Sequence, residues 1–451
     1  MQYFQPVGGF FVGDCMPFFH DGTFRLYYLL DEGHHQARGG LGGHQWAQAS
    51  TRDLVHWDHH PLAIPLTEAH EGSICTGSVF FHEGVYHAFY ATRRRDGTEH
   101  LSLAVSRDGV HFHKARPDLA LAPAGYQPRH FRDPFVFRSA ADGRFHMLVT
   151  ACLADWPVAG RGGCLAHLTS DDLEQWRSVD PFIVPGLPGV PECPDYFAWG
   201  QWHYLLFSHG GVARYRMSRN PFGPWIRPVV DTLDGPAARV MKTAAFHGNR
   251  RLGVAWIGTR ADDRDDGAFR FGGNAVFREL RQHEDGTLGL GFPAEMVPAG
   301  EPVASRELSP ESDSASIQGP RIHLNPPQGL AVAACSCMPR DVRLDLRVRP
   351  FADCREFGLR LRAGDAFDTG CALRFLPSRR MVQLHDQVLC GVAGLDREFT
   401  VQIVLKGDII DVCIAGRRTL IDRCPEQEGS VGFFWAQDSG VAFEIVGIAA
   451  L

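Results

Sequence analysis

A hairpin unit recurs through the first two thirds of this chain, and that recurrence constrains the fold more than any other feature. Each copy is an apolar strand, a tight turn that usually carries glycine, and a second strand rich in aromatics. The copies occupy residues 17–28, 79–90, 135–148, 196–206 and 245–256. Asp21-Gly22 and Glu83-Gly84 sit at the first two turns, and such pairs between apolar runs mark β-hairpins. A second element follows in four of the five: a small-residue strand, a polar turn, then an aromatic. It reads Ser50-Thr51-Arg52-Asp53-Leu54 before Trp57, Ser106-Arg107-Asp108-Gly109 before Phe112, Ser170-Asp171-Asp172-Leu173 before Trp176, and Ser218-Arg219-Asn220 before Trp225. These aromatics stand 55, 64 and 49 residues apart. Two hairpins in each ~50–60 residues make four strands per unit, and units of that size repeated radially are propeller blades.

The expected fold is all-β: a five-bladed β-propeller over residues 1–300, followed by a C-terminal β-sandwich. A linker is expected at 301–320, where Pro302, Ser305, Pro310, Ser312, Ser314 and Ser316 cluster. Residues 321–451 are again strand-like but lose the blade pattern. Val342-Arg343-Leu344-Asp345-Leu346-Arg347-Val348 alternates with period two, as does the run from Phe399 to Leu405, which is the pattern of a sandwich strand.

Composition excludes several classes. Of 451 residues, 44% are hydrophobic and 22% charged, enough for a large core and unlike a disordered chain. The net charge of −7 lacks the basic balance of a protein that grips nucleic acid. No run reaches the ~18 apolar residues that span a bilayer, and the N-terminal residues lack a signal-peptide pattern. The expected setting is therefore cytoplasmic, without a membrane or nucleic-acid partner; a homo-oligomer is left open. Twelve cysteines lie scattered with no Cys-x-x-Cys pair, which reads as buried reduced thiols rather than a disulfide framework or metal site. No metal or organic cofactor is expected.

In a propeller the innermost strands converge on a central channel. Asp14, Asp133 and Glu192 each stand just ahead of the first repeated strand of a unit, the first, third and fourth in order. Charge in such apolar surroundings is costly unless it is used. Paired carboxylates are the tools of glycoside hydrolysis, one protonating the leaving oxygen and the other attacking the anomeric carbon or activating water.

The blocks Gly13-Asp14-Cys15, Arg132-Asp133-Pro134 and Glu192-Cys193 resemble the three catalytic blocks of glycoside hydrolase family 32, the β-fructofuranosidases that include invertases, inulinases and levanases. The run from Gln45-Trp46 to Trp57 resembles the segment after the family's first block. Cys75-Thr76-Gly77-Ser78 stands at its Phe-Ser-Gly-Ser-like block, and residues 408–418 resemble its C-terminal sandwich. The resemblance implies a retaining release of terminal β-fructofuranosyl units from sucrose or short fructo-oligosaccharides. Asp14 would be the nucleophile, Glu192 the acid/base and Asp133 the transition-state stabiliser. Arg132 would orient the carboxylates and bind a hydroxyl. Gln45, Trp46, Thr76, Cys193 and His130 complete the expected substrate-binding set.

The first block departs from the family. Gly13 replaces an Asn, and Cys15-Met16-Pro17 replaces Pro-Asn-Gly. That departure keeps an arabinofuranosidase-like activity open, fructosyl transfer shares the same covalent intermediate, and a non-catalytic sugar-binding propeller is the reading from outside enzymology. Other features are expected to be structural. His34-His35 and His59-His60 read as strand neighbours facing opposite ways. Arg93-Arg94-Arg95 reads as a solvated turn, and Trp156, Trp199 and Trp202 read as packing between blades.

Overall fold

The computed structural model describes residues 3–303 and 307–451, and strands dominate it, with helix confined to short single turns. Two compact units are formed. One comprises residues 1–232, 238–258 and 271–288; the other comprises 233–237, 259–270 and 289–451.

The N-terminal unit is built from antiparallel meanders. Glu71–His82, Val85–Arg94, Glu99–Ser106 and His113–Ala120 form one four-stranded sheet; Tyr126–Arg138, Phe145–Leu153, Gly163–Ser170 and Arg177–Ile183 form another. The remaining strands lie in a longer path. Glu192–Trp199, Trp202–His209 and Val212–Ser218 lead through Arg239–Phe246, Arg250–Arg260 and Phe269–Gln282 to Phe11–His20, Thr23–Asp31 and Gln45–Thr51. Single bridges, Val212 with Arg239 and Gly273 with Val12, join these runs.

The repeated turns form for local reasons. Asp21, Gly22, Glu83 and Gly84 all have positive φ, the backbone of the two-residue turn that matches strand twist. In the second element the Asp53 carboxylate accepts from the N–H groups of Val55 and His56, while the Thr51 hydroxyl accepts from Leu54. Asp108 and Asp172 repeat the arrangement with Val110, His111, Glu174 and Gln175. The aromatic then closes the turn: Trp57 and Trp176 each donate an indole N–H to the carbonyl three residues back. Between neighbouring meanders, Phe89, Phe131, Phe145 and Met147 share one buried cluster. Each such side chain contributes about 1.5–3 kcal/mol by leaving water.

What positions the site is an irregularity. Among the described residues, five of the first strands lose register at matching places: between Val12 and Cys15, Ile74 and Gly77, Arg132 and Phe135, Glu192 and Asp195, and Arg239 and Lys242. Bulges bend a strand and re-aim its side chains. Asp133, Cys193 and Val240 lie in these bulges with φ of 55°, 53° and 53°.

The C-terminal unit holds two antiparallel sheets that bury one shared core. Val342–Pro350, Phe399–Lys406 and Arg418–Arg423 belong to the first; Leu330–Ser336, Glu356–Ala363 and Cys371–Leu376 belong to the second. Val342, Leu344, Leu346 and Val348 are all buried, as the period-two pattern requires. The expected linker is a correction. Ser305 lies outside the described residues, but Glu307–Pro310 and Ala315–Gln318 are edge strands of these two sheets. Proline and serine are tolerated there because an edge strand leaves one row of backbone groups unpaired.

Candidate active site

The bulged strands converge on a cavity of about 710 Å³, and Asp14, Thr76, Asp133, Glu192, Cys193 and Val240 all line it. Asp14 is 9% exposed. Its Oδ2 accepts from the Thr76 hydroxyl at 2.6 Å and from the Cys193 thiol at 3.5 Å, and its Oδ1 accepts from the Trp256 indole at 2.9 Å. Donors on both oxygens fix the carboxylate in place.

Asp133 is more deeply enclosed. Its Oδ2 accepts from Thr150 Oγ1 at 3.0 Å and from the Cys193 N–H at 3.2 Å. Burial, against the pull of Arg132, raises its carboxyl to about 6, and Glu192, Asp14 and Glu99 add to the rise. The Cys193 thiol is pushed well up by burial and by Asp133 and Asp14, so it stays protonated and acts as a donor. Glu192 differs from the other two acids: its side chain is 36% exposed, and its Oε1 accepts from Arg132 at 2.7 Å. Arg132 also reaches Glu99 at 3.2 Å and lies 3.6 Å from Asp133. One guanidinium thus sets the spacing of three carboxylates. His130 lies 3.4 Å from Arg132, and burial followed by that charge lowers its pKa.

Of the residues expected from sequence, Asp14, Asp133, Glu192, Arg132, Thr76, Cys193 and His130 meet at this cavity. Gln45 and Trp46 do not, which corrects the expectation that they touch substrate. Trp46 is fully buried with its indole N–H on the Cys75 carbonyl, and the Gln45 side chain accepts from the Leu66 N–H. Trp156, Trp199 and Trp202 are also absent from the lining.

Other lining residues escaped the sequence reading. Arg93 is no solvated turn: it bonds Glu99 at 3.1 Å and the Leu41 carbonyl at 3.2 Å. Glu99, only 4% exposed at its side chain, therefore joins Arg93 to Arg132. His34 and His35 sit beyond the strand end in left-handed conformation, and both donate their backbone N–H to Asp31. That turn brings His35 to the cavity, where burial, then His44 and Arg93, lower its pKa to about 4. Phe271 stacks on His44 at 5.0 Å and packs against Trp256 at 4.8 Å. A Cβ at Gly13 would stand 2.8 Å from the Phe271 ring, so the altered first block and this aromatic wall fit each other. Trp256 was within reach of sequence, since it closes the fifth repeat; Val240 stands ahead of that repeat, on the strand Arg239–Phe246 that leads into it. Glu99 carried no signal beyond the neighbouring arginine run.

Residues 4–223 match the model of the glycosyl hydrolases family 32 N-terminal domain. The chain is 32% identical over 208 residues to a sucrose-6-phosphate hydrolase of Escherichia coli, covering 43% of this chain and 41% of that protein. It is 25% identical over 453 residues to a levanase of Bacillus sp. (strain L7), covering 84% of this chain and 44% of the levanase. The chain thus spans less than half the length of these two relatives. Among solved structures, fructan 1-exohydrolase IIa from Cichorium intybus superposes with a TM-score of 0.77 at 16% identity, covering 100% of this chain and 96% of the other. Sucrose-6-phosphate hydrolase from Lactobacillus gasseri gives 0.72 at 16% identity, covering 98% and 92%.

Proposed function

Residues 4–223 make this chain a member of glycosyl hydrolase family 32, and from that premise we propose that it releases terminal β-fructofuranosyl units from short fructosides by a retaining mechanism. The observation that carries this reading is the convergence of Asp14, Asp133 and Glu192 on one cavity with unlike surroundings. Asp14 is enclosed and held by three donors; Glu192 is half open and held by one arginine.

The steps follow from those surroundings. The Asp14 carboxylate attacks the anomeric carbon while Glu192 gives its proton to the departing glycosidic oxygen. The bond to the aglycone breaks and a fructosyl ester forms on Asp14. Water then enters, Glu192 takes its proton, and the ester is hydrolysed with net retention. Asp133, ionised above its raised pKa, bonds sugar hydroxyls and stabilises the cationic transition state. Arg132 keeps Glu192 and Asp133 in register. The architecture we infer for this chemistry is a five-bladed propeller with a C-terminal sandwich. The five matched bulges and the two sheets around one core support it. No helix among the described residues is long and apolar enough to cross a membrane.

A phosphorylated fructoside is a second reading, favoured by Arg129 and Arg239. Both line the cavity, and neither is ion-paired among the described residues. The decisive experiment is product analysis with sucrose, sucrose 6-phosphate, kestose and an aryl arabinofuranoside. Free fructose is expected from the wild type, lost at least about 10³-fold in Asp14→Asn. Arabinose release, or no turnover of any fructoside, would overturn the substrate. Preference for the phosphate ester that disappears in Arg239→Gln would establish the second reading.

A further inference from the structure

Far along the sequence from the carboxylates, the C-terminal unit brings three soft donors together. The thiols of Cys371 and Cys424 and the imidazole of His385 place one ligand atom each within 4.8 Å of the others. Cys371 opens the strand Cys371–Leu376 in one sheet, and Cys424 directly follows Arg418–Arg423 in the other. His385 occupies the turn between Met381–Leu384 and Gln387–Cys390, where its N–H bonds the Ala372 carbonyl. The cluster therefore spans both sheets of the unit. Both cysteines are fully buried, and the His385 side chain, 17% exposed, is the route to solvent.

We propose that Cys371, His385 and Cys424 bind one divalent ion of the zinc class, with Asp422 as the carboxylate that orients the histidine. Bonds of about 2.3 Å to sulfur and about 2.0–2.1 Å to nitrogen, at the tetrahedral angle, give an S···N edge of about 3.6 Å. Cys424 Sγ stands 3.6 Å and 3.7 Å from the two ring nitrogens of His385. Two thiolates and an imidazole are donors for zinc rather than for calcium or magnesium.

The surroundings supply the outer shell. Asp422 is fully buried. Its Oδ1 accepts from Arg260 at 2.6 Å and from the Arg423 N–H at 2.7 Å. Among the described residues its Oδ2 has no hydrogen-bond partner, and it lies 3.4 Å from His385 Nδ1. A carboxylate behind Nδ1 fixes the tautomer that offers Nε2 to a metal. Two thiolates balance the charge of a divalent ion, and Asp422 is itself paired with Arg260. Water would complete the four-coordinate set.

Cobalt(II) is the probe, added to the full-length, untagged chain after reduction and chelation. Expected are thiolate-to-cobalt charge-transfer bands with tetrahedral d–d bands. They saturate at one ion per chain and are displaced by zinc, and zinc binding raises the melting temperature. Cys371→Ser and Cys424→Ser should each abolish the bands, Asp422→Asn should weaken binding about 10- to 100-fold, and Cys337→Ser, at an exposed thiol, should change nothing. Should either serine variant fail to fold, His385→Gln replaces it, with circular dichroism of the reduced apo chain as the folding control. Absence of the bands in the folded wild type, their persistence in the serine variants, or a Cys371–Cys424 disulfide in peptides alkylated before digestion would overturn the proposal.

Discussion

Asp133 is the residue whose surroundings conflict most. It is enclosed among acids and titrates near 6 when folded, against an ordinary 3.8. The folded chain therefore holds this proton more tightly than the unfolded chain does. The stability linked to it is complete below about pH 4 and is lost as pH rises through 6, a loss on the order of 3 kcal/mol. Asp133→Asn should melt at higher temperature than the wild type at pH 7.5, with the gap closing toward pH 4, while hydrolysis falls at least about 100-fold. In the wild type, kcat/KM should fall below about pH 6 as Asp133 takes up its proton. A pH profile flat from 5 to 7 would remove Asp133 from the ionised role. Gly13 makes a second residue-scale test. A methyl group there meets the Phe271 ring at 2.8 Å, so Gly13→Ala should cost about 1–3 kcal/mol by overpacking and raise KM, both readable from denaturant melts and initial rates.

At the scale of elements, the bulge is the device that makes a site out of a repeat. A regular strand would send alternate side chains to opposite faces. The extra residue breaks that alternation and turns Asp14, Thr76, Asp133, Cys193 and Val240 toward one cavity. The cost is left-handed backbone at a β-branched residue: Val240 has φ of 53°. Such a conformation costs about 1–2 kcal/mol, and glycine gives back part of the relief as chain entropy. Val240 is also buried, and losing about 1.5–3 kcal/mol of side-chain burial outweighs the strain that glycine relieves, so Val240→Gly should lower stability by about 1 kcal/mol. A measured gain in stability would mean that the strain at Val240 costs more than its side chain contributes. Thr150 ties two bulges together, donating to Asp133 and accepting from the Cys193 N–H. Thr150→Val should destabilise the chain by about 1–3 kcal/mol, because it leaves that buried N–H one partner poorer.

At the scale of the molecule, chain order and compact units disagree. The C-terminal unit includes residues 233–237 and 259–270 from the middle of the sequence. Within that unit Arg260 is buried and ion-paired to Asp422 and Asp386, and Gly235 lies close enough to Leu420 that a Cβ would meet it at 2.4 Å. Truncation after residue 300 would leave Arg260 without either acid, and an unpaired buried charge is strongly destabilising. The truncated chain should be insoluble; a soluble, fully active product would refute this. The sequence by itself determined what is local. The hairpin repeats, the Asp-anchored turns, the alternation of Val342 to Val348 and the three carboxylates ahead of matched strands all follow from residue type and spacing. Only the tertiary structure decided what depends on distant segments. Glu99 bridging Arg93 and Arg132, His35 swung inward by its turn, Phe271 against Gly13, and Cys371, His385 and Cys424 drawn together have no common spacing to read. Pairing across strands sets them, and the bulge that aims a side chain is a slip of register, which no single stretch of sequence encodes.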